Sequence, residues 1–192
     1  MKGVNIFLAD GFEDIEALAT CDVLRRGGVK VNLIGISDEP FVVSSHGLTV
    51  GIEESISDLD MDDHHGTDRR DVMIFPGGMP GSKHLAGCKP LIKAMKAHYE
   101  AGGTLAAICA APGLVLGQLD EWSGVEFTCF DGFEDVPASK GGIFKAVPAV
   151  TSGRIITGRS AGHAIAFALQ VLERIKGPET SAEVSYSLHL QK

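Results

Sequence analysis

The chain has no long run of lysines and arginines, and its formal net charge is −8. A nucleic-acid-binding domain needs a basic patch, so that class is set aside. Long apolar runs are missing as well. The opening MKGVNIFLADGF carries one lysine and a short apolar stretch cut off by Asp10. It is too short and wrongly flanked for a signal peptide or a membrane span, and a cytoplasmic location is the expectation. The four cysteines, Cys21, Cys88, Cys109 and Cys129, show no CxxC spacing and no secretory context. Reduced thiols are therefore expected, with neither a disulfide scaffold nor a zinc cluster. No GxGxxG follows the first apolar run, and no Gly-Lys-Ser/Thr follows Pro76-Gly77-Gly78 at P-loop spacing. Neither a dinucleotide nor a phosphate cradle of that kind is expected.

What remains is a chain of 192 residues with 44% hydrophobic and 22% charged residues, read as one domain over residues 1–192. The 24 glycines point to many tight turns. VNIFLA (4–9) is a buried strand ending at Asp10-Gly11, and EDIEALATCDVLRRGG (13–28) has acids first, arginines last and then a glycine pair, the signature of a helix. VKVNLIGI (29–36) is a second strand, and FVVSSHGLTVGI (41–52) reads as a hairpin turning at Ser45-His46-Gly47. DVMIFPGG (71–78), TLAAI (104–108), VEFTCF (125–130) and RIITG (154–158) are further strands. KPLIKAMKAHYEAGG (89–103), a stretch from about Ala111, and SAGHAIAFALQVLERIKG (160–177) read as helices. Strands alternating with helices imply right-handed crossovers and a mostly parallel sheet between helix layers: an α/β three-layer sandwich.

Ligands in such sheets bind beyond the carboxyl ends of the strands. That rule selects Asp10–Glu16, Pro76–Gly81, Cys109–Gly113 and Cys129–Phe133. Cys109 stands at a strand-to-helix junction, where unpaired N–H groups and a helix dipole favour a thiolate. The alternative is a small buried hydrophobe between Ile108 and Ala110. Gly77 and Gly78 let backbone N–H groups approach a reacting atom as an oxyanion hole does, or else form only a tight turn. Glu13, Asp14 and Glu16 open the first helix, where acids ordinarily just stabilise it. Glu16 is singled out because it lies between Ile15 and Ala17, on the side turning toward the sheet. In the cleft, desolvation and a nearby thiolate are expected to raise its pKa and let it donate a proton.

ADGFEDIEALATCDVLRRGG, VMIFPGG, AAICAAPGLVL and GRSAGHAIAFALQVL, in this order, resemble the ThiJ/PfpI superfamily, and within it the parkinsonism-associated deglycase and chaperone subfamily. The resemblance implies a flavodoxin-like fold with a small β-hairpin, a homodimer and no cofactor or metal. It implies Cys109 as the reactive cysteine and Glu16 as its protonated partner, with Gly77, Gly78 and the Ala110 backbone around the sulfur. Two positions depart from the pattern. Peptidase-like relatives carry a histidine after the nucleophile where this chain has Ala110, which counts against a peptidase. The deglycase branch has a histidine where this chain has Cys129, which offers instead a second thiol. His46, where the family offers a basic side chain across the dimer interface, and His163 are auxiliary candidates, each with an ordinary reading as surface or core histidine. MDDHHGTDRR (61–70) reads as a solvated acidic loop.

Two functions follow as expectations. One is an enzyme acting on small reactive aldehydes or glycated substrates through a Cys109 thiolate. The other is an oxidative-stress sensor or redox-regulated chaperone in which Cys109 is oxidised to a sulfinate and Cys129 is available to resolve a sulfenic acid.

Overall fold

Alternation along the central strands assigns each side chain to one of two cores. In β1 (Val4–Leu8), Val4, Ile6 and Leu8 join one apolar cluster while Phe7 joins the other. The same division holds in β6 (Val72–Phe75) and β7 (Thr104–Ile108): Ile74 and Ile108 face one side, Phe75 and Ala107 the other. Strands buried on both faces need helices on both faces. The computed structural model describes residues 1–63 and 66–190 and shows that arrangement. His64 and His65, within the acidic stretch at 61–70, lie outside the described residues.

In chain order the elements are β1, α1 (Asp14–Arg26), β2 (Val31–Gly35), β3 (Phe41–Val43), β4 (Thr49–Gly51), β5 (Glu54–Ser55), β6, α2 (Gly81–Gly87), α3 (Lys89–Glu100), β7 and α4 (Ala111–Leu114). Then follow β8 (Glu126–Phe127), α5 (Asp135–Ser139), β9 (Ile143–Phe144), β10 (Ala149–Ser152), β11 (Ile155–Gly158), α6 (Ala164–Lys176) and α7 (Pro178–Ser187). The main sheet runs β10-β11-β7-β6-β1-β2-β5, parallel except where β10 pairs antiparallel with β11. The cluster holding Val23, Leu24, Phe167, Val171 and Val184 lies under α1, α6 and α7, and the cluster holding Leu85, Leu91, Met95 and Trp122 lies on the opposite face. The mostly parallel sheet between two helix layers is the expected class, with β3 and β4 as the antiparallel hairpin. Among the described residues no helix is long and apolar enough to cross a membrane.

Several expected elements are altered. The strand expected at 125–130 shrinks to β8, which leaves the main sheet and pairs with β9. The helix expected from about Ala111 lasts four residues before a 3₁₀ turn at Leu116–Gln118. The long last helix starts at Ala164, after a 3₁₀ turn at Ala161–His163. α2, β10 and α7 carry no strong sequence signal. α2 opens on glycine without a side-chain cap, and α7 buries only Ser181, Val184 and Ser185.

Candidate active site

The turns after β6 and β7 and the start of α1 meet at one end of the sheet. Cys109 follows β7 immediately and has φ +65°, a left-handed conformation that costs a non-glycine residue about 1–2 kcal/mol. Two neighbours pin it there: Cys109 N–H donates to the Gly158 carbonyl at 3.0 Å, and Phe130 N–H donates to the Cys109 carbonyl at 2.8 Å. A strained residue held from both sides aims its side chain in one direction. That direction is toward Gly77 and Glu16. A Cβ added to Gly77 would lie 2.5 Å from both Cys109 Cβ and Glu16 Oε2, and 3.1 Å from Cys109 Sγ.

Glu16 is 1% exposed. Its Oε2 accepts the Gly77 N–H at 2.7 Å, while Oε1 is sealed from solvent with no hydrogen-bond partner among the described residues. The Cys109 thiol is the side chain that interacts with this carboxyl. Burial pushes the Glu16 carboxyl up to about 7, aided by the Glu13 charge and opposed by the bonds from Cys109 and Gly77. Burial does the lifting, as expected, while the hydrogen bond of the neutral thiol acts downward.

Cys109 corrects an expectation. Burial, and after it the Glu16 carboxylate, push the thiol up to about 12, against the downward pull of the Ala110 and Gly78 N–H groups at the sulfur. A four-residue α4 supplies too little helix to favour a free thiolate. The two shifts describe one coupled pair: ionising either partner makes the other harder to ionise. Above about pH 7 the pair therefore holds a single proton, shared between carboxyl and sulfur. A protonated Glu16 beside a Cys109 thiolate is the form that can attack an electrophile.

The other candidates are spread more widely. Cys129 is fully buried in the cluster on the opposite face of the sheet from Cys109, and burial pushes its thiol up to about 12. His46, at the turn of the hairpin, is exposed, and its Nδ1 meets Asp14 Oδ2 at 2.6 Å. Asp14 Oδ1 also accepts the Ser44 hydroxyl at 2.5 Å, so this contact ties the hairpin to the start of α1. The hydrogen bond and charge of Asp14 raise the His46 pKa. Donor atoms of Glu13, Asp14 and His46 lie within 4.8 Å of one another, the one grouping among the described residues with metal-ligand spacing. His163 Nδ1 meets the Ser160 hydroxyl at 3.0 Å and lines an apolar groove of about 720 Å³ with Ile15, Ala19, Ile165 and Leu169. Glu13, passed over as an ordinary helix acid, touches both Glu16 and Gly77. Its place before the helix was the available signal, but its second bond depends on a turn far away in sequence.

Residues 2–174 match the model of the DJ-1/PfpI family. The chain is 34% identical over 186 residues to Protein DJ-1 homolog B of Arabidopsis thaliana, covering 96% of this chain and 40% of that protein. It thus spans less than half the length of that relative. It is 33% identical over 182 residues to Glutathione-independent glyoxalase DJR-1.2 of Caenorhabditis elegans, covering 94% of this chain and 91% of that one. Among solved structures, that of Toxoplasma gondii DJ-1, oxidized, superimposes with a TM-score of 0.87 at 28% identity over 98% of each chain.

Proposed function

Since the chain belongs to the DJ-1/PfpI family, we propose that it acts on small reactive aldehydes of the glyoxal type, or on their early adducts with amines and thiols, through Cys109 and Glu16. The observation that carries this reading is the buried Glu16 carboxyl, with one oxygen on the Gly77 N–H, beside the Cys109 thiol. The relative named a glutathione-independent glyoxalase supports it.

The chemistry balances without a cofactor or metal. The Cys109 thiolate adds to the aldehyde carbon, and the alkoxide formed takes the Glu16 proton, giving a neutral hemithioacetal. The Gly78 and Ala110 N–H groups, which reach the Cys109 sulfur, are the donors this reading assigns to the developing oxyanion. Glu16, now a carboxylate, removes the proton on that carbon to give an enediolate, the hydroxyl proton passes to the neighbouring oxygen, and Glu16 returns its proton to the adjacent carbon, leaving a thioester of a 2-hydroxy acid. Water hydrolyses the thioester, releasing the acid and restoring the thiol. For methylglyoxal the sum is one aldehyde and one water converted to lactate and a proton.

A second reading rests on the same N–H donors at the sulfur, which would donate to the oxygens of a sulfinate. Lactate formation from methylglyoxal separates the two. Turnover lost in both Cys109→Ala and Glu16→Gln supports the enzyme. No turnover, with Cys109 gaining two oxygens in mild peroxide, leaves the sensor. The working unit in this proposal is a homodimer joined through the groove at α1 and α6, where Ile15 is 55% exposed and Leu190 47%. The groove's lining has no carboxylate, lysine or arginine, so two copies of a chain carrying −8 can meet there without opposing charges.

A further inference from the structure

Three hydrogen bonds close a ring at the start of α1. Gly77 N–H donates to Glu16 Oε2 at 2.7 Å, Glu16 N–H donates to Glu13 Oε2 at 2.8 Å, and Glu13 N–H donates to the Gly77 carbonyl at 3.0 Å. Glu13 therefore touches both members of the bond that holds the Glu16 carboxyl. The ring has no slack on its outer side, since a Cβ on Gly78 would stand 2.3 Å from Glu13 N. Ordinary helix capping accounts for the bond that Glu16 N–H donates to Glu13 Oε2. It does not account for the bond from Glu13's own N–H, which ties the cap to the turn carrying Gly77 and Gly78.

We propose that Glu13 is a positioning residue for the Cys109–Glu16 pair: its backbone N–H and carboxylate fix Glu16 against Gly77, and its negative charge helps keep the shared proton on the pair. The inference rests on reading that pair as the reacting one. The groups facing Glu16 are Cys109 from the junction after β7, Gly77 N–H from the turn after β6, and Glu13 from its own helix start. Glu13 in turn faces Asp14 beside it and His46 from the hairpin.

The test is the rate of Cys109 alkylation by iodoacetamide as a function of pH, read by peptide mass spectrometry so that Cys88 is scored separately. Reactivity rises as the pair loses its first proton. Glu13→Gln keeps an oxygen for the cap and removes the charge, so the rising limb should move to lower pH by about half a unit with melting unchanged. Glu13→Ala also removes the cap and should alkylate several-fold more slowly across the profile. His46→Ala removes the cation paired with Asp14 and facing Glu13, and should move the limb the other way. A Glu13→Gln profile superimposing on wild type overturns the proposal. So does a Glu13→Ala protein that melts lower yet alkylates with the wild-type rate and profile, because Glu13 is then only a helix cap. Alkylation needs no aldehyde turnover. A wild type that makes no lactate, with the limb still shifted in Glu13→Gln, removes the proposed function and leaves this inference, and normal turnover with an unmoved limb does the reverse.

Discussion

Gly77 donates its N–H to Glu16 Oε2 at 2.7 Å from a position where any side chain would place Cβ 2.5 Å from that same oxygen. The bond and the absent side chain are one requirement, because the backbone reaches a buried carboxyl only where nothing projects between them. Gly77→Ala should cost about 1–3 kcal/mol of stability through overpacking. It should also slow Cys109 alkylation at least tenfold, since Cys109 Cβ is equally close to the added methyl. Thermal melting and iodoacetamide kinetics check both, and a variant with wild-type values in each would sink the close-contact account.

Glu16→Gln should be more stable than wild type in alkaline solution and lose that advantage in acid. The Glu16 carboxyl is raised from 4.5 to about 7 by burial. A raised carboxyl leaves the fold unpenalised below the unfolded value, and stability is lost as pH rises through the folded one. The difference between variant and wild type should therefore grow by about 3 kcal/mol between pH near 4 and pH near 8. Urea unfolding at those two pH values measures it, and a pH-independent difference would contradict the raised carboxyl.

Asp14→Asn should bring the His46 titration down toward the ordinary histidine range. The hydrogen bond and charge of Asp14 raise it, so the contact between hairpin and α1 is strongest below the usual histidine value and weakens as pH rises through the raised one. Ring-proton NMR of His46 against pH is the measurement. An unchanged curve would mean the Asp14 contact does not form in solution.

Peroxide treatment should give no disulfide between Cys109 and Cys129. The two side chains belong to clusters on opposite faces of the sheet, and Cys129 is fully buried. Non-reducing peptide mapping after oxidation reads this directly. A Cys109–Cys129 peptide would restore the resolving role that the sequence suggests for Cys129.

Ile15→Glu together with Ile165→Glu should turn a dimer into a monomer without unfolding it. Both side chains line the apolar groove and are partly exposed in the single chain, 55% and 36%. Light scattering gives the mass and circular dichroism the fold. A wild type that is already monomeric would overturn the dimer proposal.

The layered architecture was legible because it depends on local pattern. Apolar runs at VNIFL, VMIF and TLAAI sit between helix signals, and strands buried on both faces admit few other arrangements. Cys109, Glu16 and Gly77 were also legible as candidates, from their places at the ends of those strands. α7 was not, because its polar sequence is helical chiefly through packing on α6. β8 was misread for a related reason: its apolar run packs against Trp122 and Phe144 in a small separate sheet.

Ionisation was decided only by tertiary structure. Sequence position offered Cys109 a helix dipole and so an acidic thiol, but α4 is four residues long and the sulfur is largely covered, beside a carboxyl with one orphan oxygen. The sequence determined which residues stand at the strand ends, because the strand pattern sets that along the chain. The folded molecule decided how the Cys109–Glu16 pair shares its proton and that Cys129 lies across the sheet, because desolvation and charge depend on distance in space.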